Sequence, residues 1–417
     1  MAQSVTQPLT RSATWRAGLR VKMFRLLSAV VVSSAPWCAS AAVVVDTGLK
    51  INDKVYHHKW IPKQTMGVKR SDMSATTVGD AIYLIGGCVK DQEWVADPNY
   101  PGYSCGSGTA DSVTARTTRY VPATDSHEIL FAAPRARYRH ADAAVGTKIY
   151  LFGGSDAAGA IVTAVDVYDT AASTWSTLAT AWSNATTDCA AFAYEGKIYV
   201  LGGYDAAWTA LQTTMIFDPA GTGAAAWSTG APLVVGRGDF SAEVIGTSAY
   251  ILGGFTHTDE FKAPLKSMET MNLKGPAFTW SMHQAMQVAR GDKATAVLNG
   301  ILHVVGGESK NADGHSVPLR DVEVYFPGPN AWYFGGDIPT DRFRFTGAAL
   351  GDSMFLFGGQ GYLVGGYGAV GSKYPVMDTV EEYHESVADA TTDVSAAVVP
   401  AAPAAAALGL AFAALLF

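Results

Sequence analysis

The sequence predicts an all-β fold, a six-bladed β-propeller of four-stranded blades, and three observations predict it. A short apolar stretch ending in Gly-Gly occurs six times along the 417 residues. Successive copies lie about fifty residues apart, the period of a propeller blade. A Trp recurs at a fixed distance before the glycines, and one such Trp stands ahead of the first copy, so the two ends of the repeat region are expected to share a blade.

The Gly-Gly stretch is the second strand of each predicted blade. Its copies are Ala81–Gly87, Lys148–Gly154, Lys197–Gly203, Ser248–Gly254, Ile301–Gly307 and Ser353–Gly359. A pair such as Gly146-Thr147 or Asn299-Gly300 precedes each copy. These pairs favour two-residue hairpin turns, because Gly adopts positive φ without steric cost. The first strand of each blade therefore ends at this turn.

Two further columns give the third and fourth strands. The third-strand position holds Tyr120, Tyr168, Phe217, Met271, Tyr325 and Tyr383. The fourth-strand position holds Trp175, Trp227, Trp280 and Trp332, and His127 takes that place in blade 1. Each unit is therefore a four-stranded antiparallel meander.

The position of Trp60 predicts how the ring closes. Trp60 stands 26 residues before Gly86, as Trp227 stands 26 residues before Gly253. No earlier unit precedes Trp60, and the last unit ends at Tyr383 without a Trp of its own. We expect the strand at 56–63 to complete the last blade, which removes the free sheet edges.

This order of Gly-Gly, Tyr and Trp resembles the kelch repeat over roughly residues 56–385. The resemblance implies a propeller whose loops surround a polar central channel and bind a protein or an acidic or carbohydrate ligand. Some kelch-like propellers are enzymes, such as copper-dependent sugar oxidases and sialic-acid mutarotases. No Cys–Tyr context of the oxidase type is present, whereas a mutarotase-like activity stays open. We expect a binding module without a cofactor, with a carbohydrate-active enzyme as the alternative.

Composition limits the partners. The formal net charge is −7, and only 16% of residues are charged. Wholesale electrostatic binding of nucleic acid is therefore not expected. A low proportion of charged residues fits many short strands packed face to face. We also expect the protein to be a monomer.

The N-terminal segment predicts secretion. Residues 1–41 combine a basic start, the apolar run Met23–Val32 and small residues ending Ala39-Ser-Ala41. This pattern is typical of a secretory signal peptide, and Met23 is a possible internal start. An organelle transit peptide is the competing interpretation. Residues 42–385 are then the propeller.

The C-terminal segment predicts an anchor. A small, polar to Ala/Pro-rich linker at 386–403 leads to the wholly apolar tail 404–417. This arrangement resembles a signal for GPI attachment, which places the protein at the cell surface; a tail anchor or a free Ala-rich tail is the alternative. Fourteen apolar residues are few for a spanning helix.

Cysteines and a sequon agree with secretion. Cys88 and Cys105 bracket an insertion after the first Gly-Gly, and a disulfide there would stabilise a loop with little core of its own. Two free thiols are the alternative. Cys189 is expected to be a buried small hydrophobe. Asn184-Ala-Thr186 is a predicted N-glycosylation site.

Two charged columns precede the first strand of each blade. The earlier column is Arg70, Arg137, Thr186, Arg237, Arg290 and Arg342, and the later one is Asp72, Arg139, Asp188, Asp239, Asp292 and Arg344. Residues two apart on an extended chain share a side, so both columns are expected at the channel mouth. Arg–Asp pairs that tie neighbouring blades together are expected for blades 1, 4 and 5. The Arg-Gly-Asp tripeptides at 237–239 and 290–292 belong to these columns and do not indicate adhesion.

The columns predict a ligand site. In blades 2 and 6 both positions are Arg, so Arg137, Arg139, Arg342 and Arg344 are the main candidates to bind an anionic ligand. Arg237 and Arg290 extend the set, and Trp94 in the blade 1 insertion is the candidate aromatic contact. The alternative is that the insertion folds over these Arg side chains and its own acids neutralise them. A metal ion shared by the loops of blades 4 and 5 is not expected, because their acidic residues show no fixed ligand spacing.

Overall fold

The computed structural model describes residues 49–51, 54–95, 102–105, 109–179, 181–182, 184–259, 263–276, 278–366 and 368–389. The predicted signal peptide and apolar tail lie outside these residues. Of the predicted linker, residues 386–389 belong to the last strand and the remainder lies outside the described part.

Twenty-eight strands form within the described residues. In chain order they are β1 (Leu49–Ile51), β2 (Lys54–Lys63), β3 (Ser74–Val78), β4 (Ala81–Ile85), β5 (Gln92–Val95), β6 (Gly102–Cys105), β7 (Thr117–Val121), β8 (Ser126–Ile129), β9 (Ala141–Val145), β10 (Lys148–Phe152), β11 (Asp166–Asp169), β12 (Thr174–Thr177), β13 (Ala190–Tyr194), β14 (Lys197–Leu201), β15 (Thr214–Phe217), β16 (Trp227–Thr229), β17 (Ser241–Ile245), β18 (Ser248–Leu252), β19 (Met268–Asn272), β20 (Ser281–His283), β21 (Ala294–Leu298), β22 (Ile301–Lys310), β23 (Ser316–Phe326), β24 (Ala331–Arg342), β25 (Thr346–Leu350), β26 (Ser353–Phe357), β27 (Lys373–Tyr374) and β28 (Val380–Asp389). Short 3₁₀ turns within the same described residues lie at Pro122–Thr124, Gly223–Ala226 and His257–Asp259.

The strands form the six predicted antiparallel blades. From the inner to the outer strand, blade 1 is β3-β4-β7-β8, and β9–β12, β13–β16, β17–β20 and β21–β24 make blades 2 to 5. Blade 6 is β25-β26-β28-β2-β1. The all-β, six-bladed prediction is confirmed. Among the described residues no helix is long and apolar enough to cross a membrane.

The predicted closure is also confirmed. Strand β2 pairs with β28 over its whole length, and Trp60 lies opposite Tyr383 in the register. The two rings pack with centroids 5.0 Å apart, and Trp60 is buried. The N-terminal strand therefore supplies the outer part of the last blade, as a Trp-bearing fourth strand does elsewhere.

The hydrophobic core lies between neighbouring blades. One cluster, for example, joins Phe152 and Val167 of blade 2 to Ile198 and Phe217 of blade 3. The second strands are apolar because both of their faces are covered in this way. In blade 1, His127 replaces Trp and its ring lies 4.6 Å from that of Tyr120.

The first glycine of each Gly-Gly pair is required by a close approach. At Gly153 an added Cβ would lie 2.0 Å from the carbonyl oxygen of Thr186 in the next blade, and φ there is +62°. The same approach closes the ring, since a Cβ at Gly358 would lie 2.1 Å from the Arg70 carbonyl. The repeated glycine thus sets how closely consecutive blades pack.

The blade 1 insertion is an ordered cap. Its hairpin β5–β6 pairs with β27 from the blade 6 loop in a separate three-stranded sheet. The predicted Cys88–Cys105 disulfide is present, with Cα atoms 5.9 Å apart, and Asp91 binds Lys373 at 2.9 Å. The cap therefore joins blades 1 and 6 at the Gly-Gly end of the propeller.

Candidate functional site

Six residues form a closed ring around the channel mouth. They are the members of the later charged column, Asp72, Arg139, Asp188, Asp239, Asp292 and Arg344. Each backbone N–H donates to the carbonyl of the ring residue in the preceding blade, at 2.8–3.1 Å, and Asp72 closes the circle on Arg344. All six have φ between 50° and 58°. This left-handed geometry is uncommon for residues other than Gly, Asn and Asp, so the ring is a specific backbone device at the mouth.

The ring side chains are crowded carboxylates with two guanidiniums. Burial raises the pKa of Asp239 to about 8, and the neighbouring Asp188 adds to this effect. Burial also raises the pKa of Asp292, followed by the charge of Asp239. Burial opposes the charge of Arg139, but Asp188, Tyr138 and Asp72 outweigh it and raise its pKa. The mouth is therefore rich in acid, and part of that acid is neutral near pH 7.

The earlier column lies elsewhere, which corrects the sequence interpretation. Arg70, Arg137, Arg237, Arg290 and Arg342 are fully buried inside the blades. Each donates to the carbonyl of its own blade's first glycine, at 2.8–3.4 Å. The ligand contacts expected at Arg137, Arg237, Arg290 and Arg342 do not fit this burial.

The Arg–Asp pairing expected for blades 4 and 5 is wrong as well. Arg237 binds Glu269 at 2.7 Å and Arg290 binds Glu323 at 2.8 Å, in place of Asp239 and Asp292. Arg137 pairs with Asp166, and Arg342 pairs with Glu381 at 2.9 Å, so neither lacks a carboxylate. The reason is that the guanidinium extends outward along the blade to the third strand, away from the axis.

The acidic partners form a column that the sequence analysis missed. Asp166, Glu269, Glu323 and Glu381 each stand two residues before the third-strand aromatic or apolar position, where blade 1 has Thr118 and blade 3 has Met215. In blade 1, Arg70 donates to Thr118 at 2.6 Å, and burial, followed by Arg116, lowers the pKa of Arg70 to about 9. Blade 3 lacks both members, with Thr186 and Met215 in their places. The fixed two-residue offset was the available sign of this column.

Arg344 is occupied by the cap. Its Nη1 donates to Oε1 of Gln92, and its Nε donates to Asp292 at 3.2 Å. The same Gln92 amide donates from Nε2 to Asp72 at 3.3 Å, and Gln92 is fully buried. The alternative in which the insertion folds over the Arg residues therefore holds at Arg344, although a neutral amide makes the contact where acids were expected.

Arg139 is the ring guanidinium that has no such amide bound to it among the described residues. Its side chain is 12% exposed, and its carboxylates, Asp72 and Asp188, lie at 3.6 and 3.7 Å, beyond hydrogen-bond distance. No described residue accepts a hydrogen bond from its Nε. Its guanidinium carbon lies 5.2 Å from the ring of Tyr138 and 5.8 Å from that of Trp208.

Trp208 is an aromatic contact that the sequence analysis missed. It lies in the loop after the third Gly-Gly, and its φ of 60° is unusual for a bulky residue. Asp205 holds the loop, because its Oδ1 accepts from the N–H groups of Ala207 and Thr209. The predicted contact Trp94 lies in β5 opposite Tyr103, and its side chain lies outside the described part. A lone Trp in a loop of no fixed register gives no sequence pattern.

Below the ring the channel holds a second acidic level. Burial raises the pKa of Asp142 to about 6 and that of Glu243 to about 7. Each accepts a hydrogen bond from a Thr of a neighbouring blade, Thr76 and Thr295. These residues line a channel cavity of about 500 Å³.

The predicted glycosylation site and free cysteine are placed apart from the ring. Asn184 is exposed in the turn that leads from blade 2 into blade 3. Cys189 is buried, and burial raises its thiol pKa to about 11. No group of three metal-ligating side chains is found among the described residues.

A family model supports the assignment of these blades. The model described as the Attractin/LZTR1 beta-propeller matches residues 100–372, roughly two thirds of the chain. Human Kelch-like protein 34 is 24% identical over 309 residues, which cover 73% of this chain and 37% of that protein.

Other relatives match over shorter regions. Human Kelch-like protein 25 is 29% identical over 127 residues, or 30% of this chain, and the matched region spans about a fifth of that relative's length (21%). Among solved structures, one titled "Structure of YjhT" has a TM-score of 0.58 at 13% identity and covers 75% of this chain and 95% of its own. At this identity the likeness supports the fold alone.

Proposed function

Because this chain belongs to the Attractin/LZTR1 β-propeller family and is built from kelch blades, we propose that it is an interaction module that binds a protein partner over the ring at its channel mouth. Interaction is the function for which a rigid ring of loops is suited, since a propeller positions many loops on one face. That the whole protein binds a protein partner is part of this proposal.

Arg139 is the observation that carries the proposal. A guanidinium that is largely desolvated and without a short acceptor is costly unless another group completes its hydrogen bonds. The other described arginines at the centre of the blades, Arg137 and Arg344 among them, already have such acceptors. Arg and Trp are also both enriched at the energetic centre of protein interfaces.

A peptide selection tests this function. A phage-displayed library of random heptapeptides is panned on the immobilised protein, and bound clones are compared on Arg139→Ala, Trp208→Ala and the matched control Arg119→Ala. Among the described residues, Arg119 forms ion pairs with Asp80 and Glu128 at the surface. Clones should bind the native protein and Arg119→Ala and lose binding to the two ring variants. Equal binding to all four proteins contradicts the proposal.

We also propose that this protein enters the secretory pathway. The Cys88–Cys105 disulfide supports this, because disulfides persist in oxidising compartments, and exposed Asn184 is accessible to a glycan. Expression in a secreting eukaryotic host should give a band that N-glycosidase lowers, and Asn184→Gln should remove the shift. A GPI anchor at the tail is tested by release from intact cells with a phosphatidylinositol-specific phospholipase; retention after full treatment rejects the anchor.

The second candidate function is acid–base catalysis on a small sugar inside the channel. It is favoured by Asp142 and Glu243, two carboxyl groups whose raised pKa values lie near neutral pH. A screen for sugar turnover should then show activity that Glu243→Gln abolishes. Activity unchanged in that variant excludes this role.

A further inference from the structure

Two seams of the ring carry the same set of groups. At each, an Arg precedes an Asp around the circle: Arg344 before Asp72, and Arg139 before Asp188. In both cases the residue just before the Asp donates a hydroxyl hydrogen bond to that carboxylate, Ser71 at 2.6 Å and Thr187 at 3.1 Å. Each seam therefore presents a guanidinium donor beside a carboxylate acceptor.

The first seam is filled by a group from the same chain. The carboxamide of Gln92 accepts from Arg344 and donates to Asp72, so it uses one oxygen and one nitrogen on the two halves of the seam. Gln360 adds a second amide, which donates to Ser71 at 3.0 Å. The chain itself thus shows which chemistry fits an Arg–Asp seam.

The second seam has the same groups and no such amide among the described residues. Arg139 keeps its carboxylates at 3.6 and 3.7 Å, and Ser155 takes the place that Gln360 has in blade 6. Trp208 forms a wall beside the guanidinium. A flat group that enters here would meet a donor, an acceptor and an aromatic face.

We propose that the Arg139–Asp188 seam binds the side-chain carboxamide of a Gln or Asn from the partner protein, in the way that Gln92 occupies the Arg344–Asp72 seam. This inference rests on the proposed function and names the chemistry of its central contact. It also revises the ligand expected from the sequence, which was anionic.

Charge favours the amide over a carboxylate. An anion near Arg139 would also meet Asp72 and Asp188, whose charges already raise the pKa of Arg139. A carboxylate could accept from Arg139 but would offer no donor to Asp188, which already accepts from Thr187, and an ammonium group would repel Arg139. A neutral amide satisfies both halves, and a site built for such a pair rejects groups that leave one half unpaired.

The test uses the peptides selected on the native protein. Gln or Asn should be enriched at one position of the clones that depend on Arg139. A synthetic peptide of that consensus should lose affinity about tenfold or more when its amide is changed to Glu or to norleucine, because a hydrogen bond to a charged group is lost in each case. Peptides that depend on Arg139 but prefer Asp or Glu overturn the inference and leave the proposed function standing.

Gln92→Ala adds an internal control. Removal of this amide should open the first seam, so the variant should bind two consensus peptides per chain in calorimetric titration, the native protein one, and the double variant Gln92→Ala/Arg139→Ala one. Circular dichroism confirms that each variant is folded. A stoichiometry of one for Gln92→Ala, with binding still lost in Arg139→Ala, contradicts the equivalence of the two seams. Absence of any Arg139-dependent peptide instead contradicts the proposed function.

Discussion

Arg137 and Arg139 lie two residues apart in blade 2, and their environments differ completely. Arg137 is fully buried, binds the Gly153 carbonyl at 3.1 Å and pairs with Asp166. Arg139 stands at the channel mouth with its carboxylates beyond hydrogen-bond distance. The comparison separates two roles for one residue type: Arg137 stabilises the blade, and Arg139 is available to a ligand.

The repeat strengthens this comparison. Arg342 and Arg344 occupy the same two positions in blade 6, and again the first pairs inside the blade, with Glu381. In blade 3 the buried pair is lost as a unit, since Thr186 replaces the Arg and Met215 the acid. Absence of both members leaves no uncompensated buried charge in blade 3, whereas blade 1 keeps the buried Arg70 and gives it the Thr118 hydroxyl in place of the acid.

The largest expected effect on stability comes from breaking the buried Arg137–Asp166 pair. Arg137→Ala should lower the free energy of unfolding by about 3 kcal/mol, because it removes a fully buried guanidinium and leaves Asp166 with Arg135 as its remaining ion-pair partner. Arg139→Ala should cost less, roughly 1 kcal/mol, since its carboxylates lie at 3.6 and 3.7 Å and no hydrogen bond to them is lost. Urea unfolding of both variants measures the difference. Similar losses for the two would refute the division of roles.

Blade 3 allows the reverse experiment. Thr186→Arg should destabilise the protein by about 2–3 kcal/mol, because the new guanidinium has the Gly202 carbonyl as an acceptor but no carboxylate. Adding Met215→Glu should recover part of this loss. Both variants and the native protein are produced in a host that does not glycosylate, because Thr186 is part of the Asn184-Ala-Thr186 sequon and its replacement removes that site. A double variant less stable than Thr186→Arg shows that the column is not a transferable pair.

The smallest expected effect concerns the charge of the ring. The folded-state pKa of Asp239 is raised to about 8, so between about pH 4 and pH 8 the unfolded chain releases a proton that the folded chain keeps. Stability should therefore fall as the pH rises through this window. Asp239→Asn should reduce that slope and raise stability at pH 8 by on the order of 1 kcal/mol. Asn also tolerates the positive φ at this position.

Thermal unfolding at pH 5 and pH 8 checks this prediction. Asp188 and Asp292 also have raised pKa values, so part of the slope should remain in the variant. An unchanged pH dependence would show that Asp239 is ionised in the folded protein.

The sequence predicted those features that depend on the repeat. The Gly-Gly column gave the blades, and the spacing of Trp60 gave the closure, because every blade must meet the same packing demand. The spacing of Cys88 and Cys105 likewise gave the disulfide. Each of these is fixed by backbone geometry that recurs or by a local constraint.

The candidate site depended on features that the repeat does not fix. Residues two apart share a side only where the segment is extended. Asp72 and Arg139 adopt positive φ, which turns the side chains of the later column to the mouth and leaves the earlier column inside the blades. Gln92 and Trp208 lie in loops of individual length, so no column identifies them. The acidic partners of the buried Arg side chains do form a column in the sequence, two residues before the third-strand aromatic or apolar position. This regular offset is the signal that identifies them.

The length of the last blade has a consequence for orientation. Strand β28 runs from the Gly-Gly end, where Val380 lies opposite Phe357, to Asp389, which lies opposite Lys54 beyond the turn at Gly351. The chain thus passes residue 389 on the face opposite the ring. If the proposed GPI anchor follows this point, the membrane would lie on the side of the propeller opposite the ring. Arg139, Trp208 and the cap would then face away from the membrane, toward a partner in solution or on another cell.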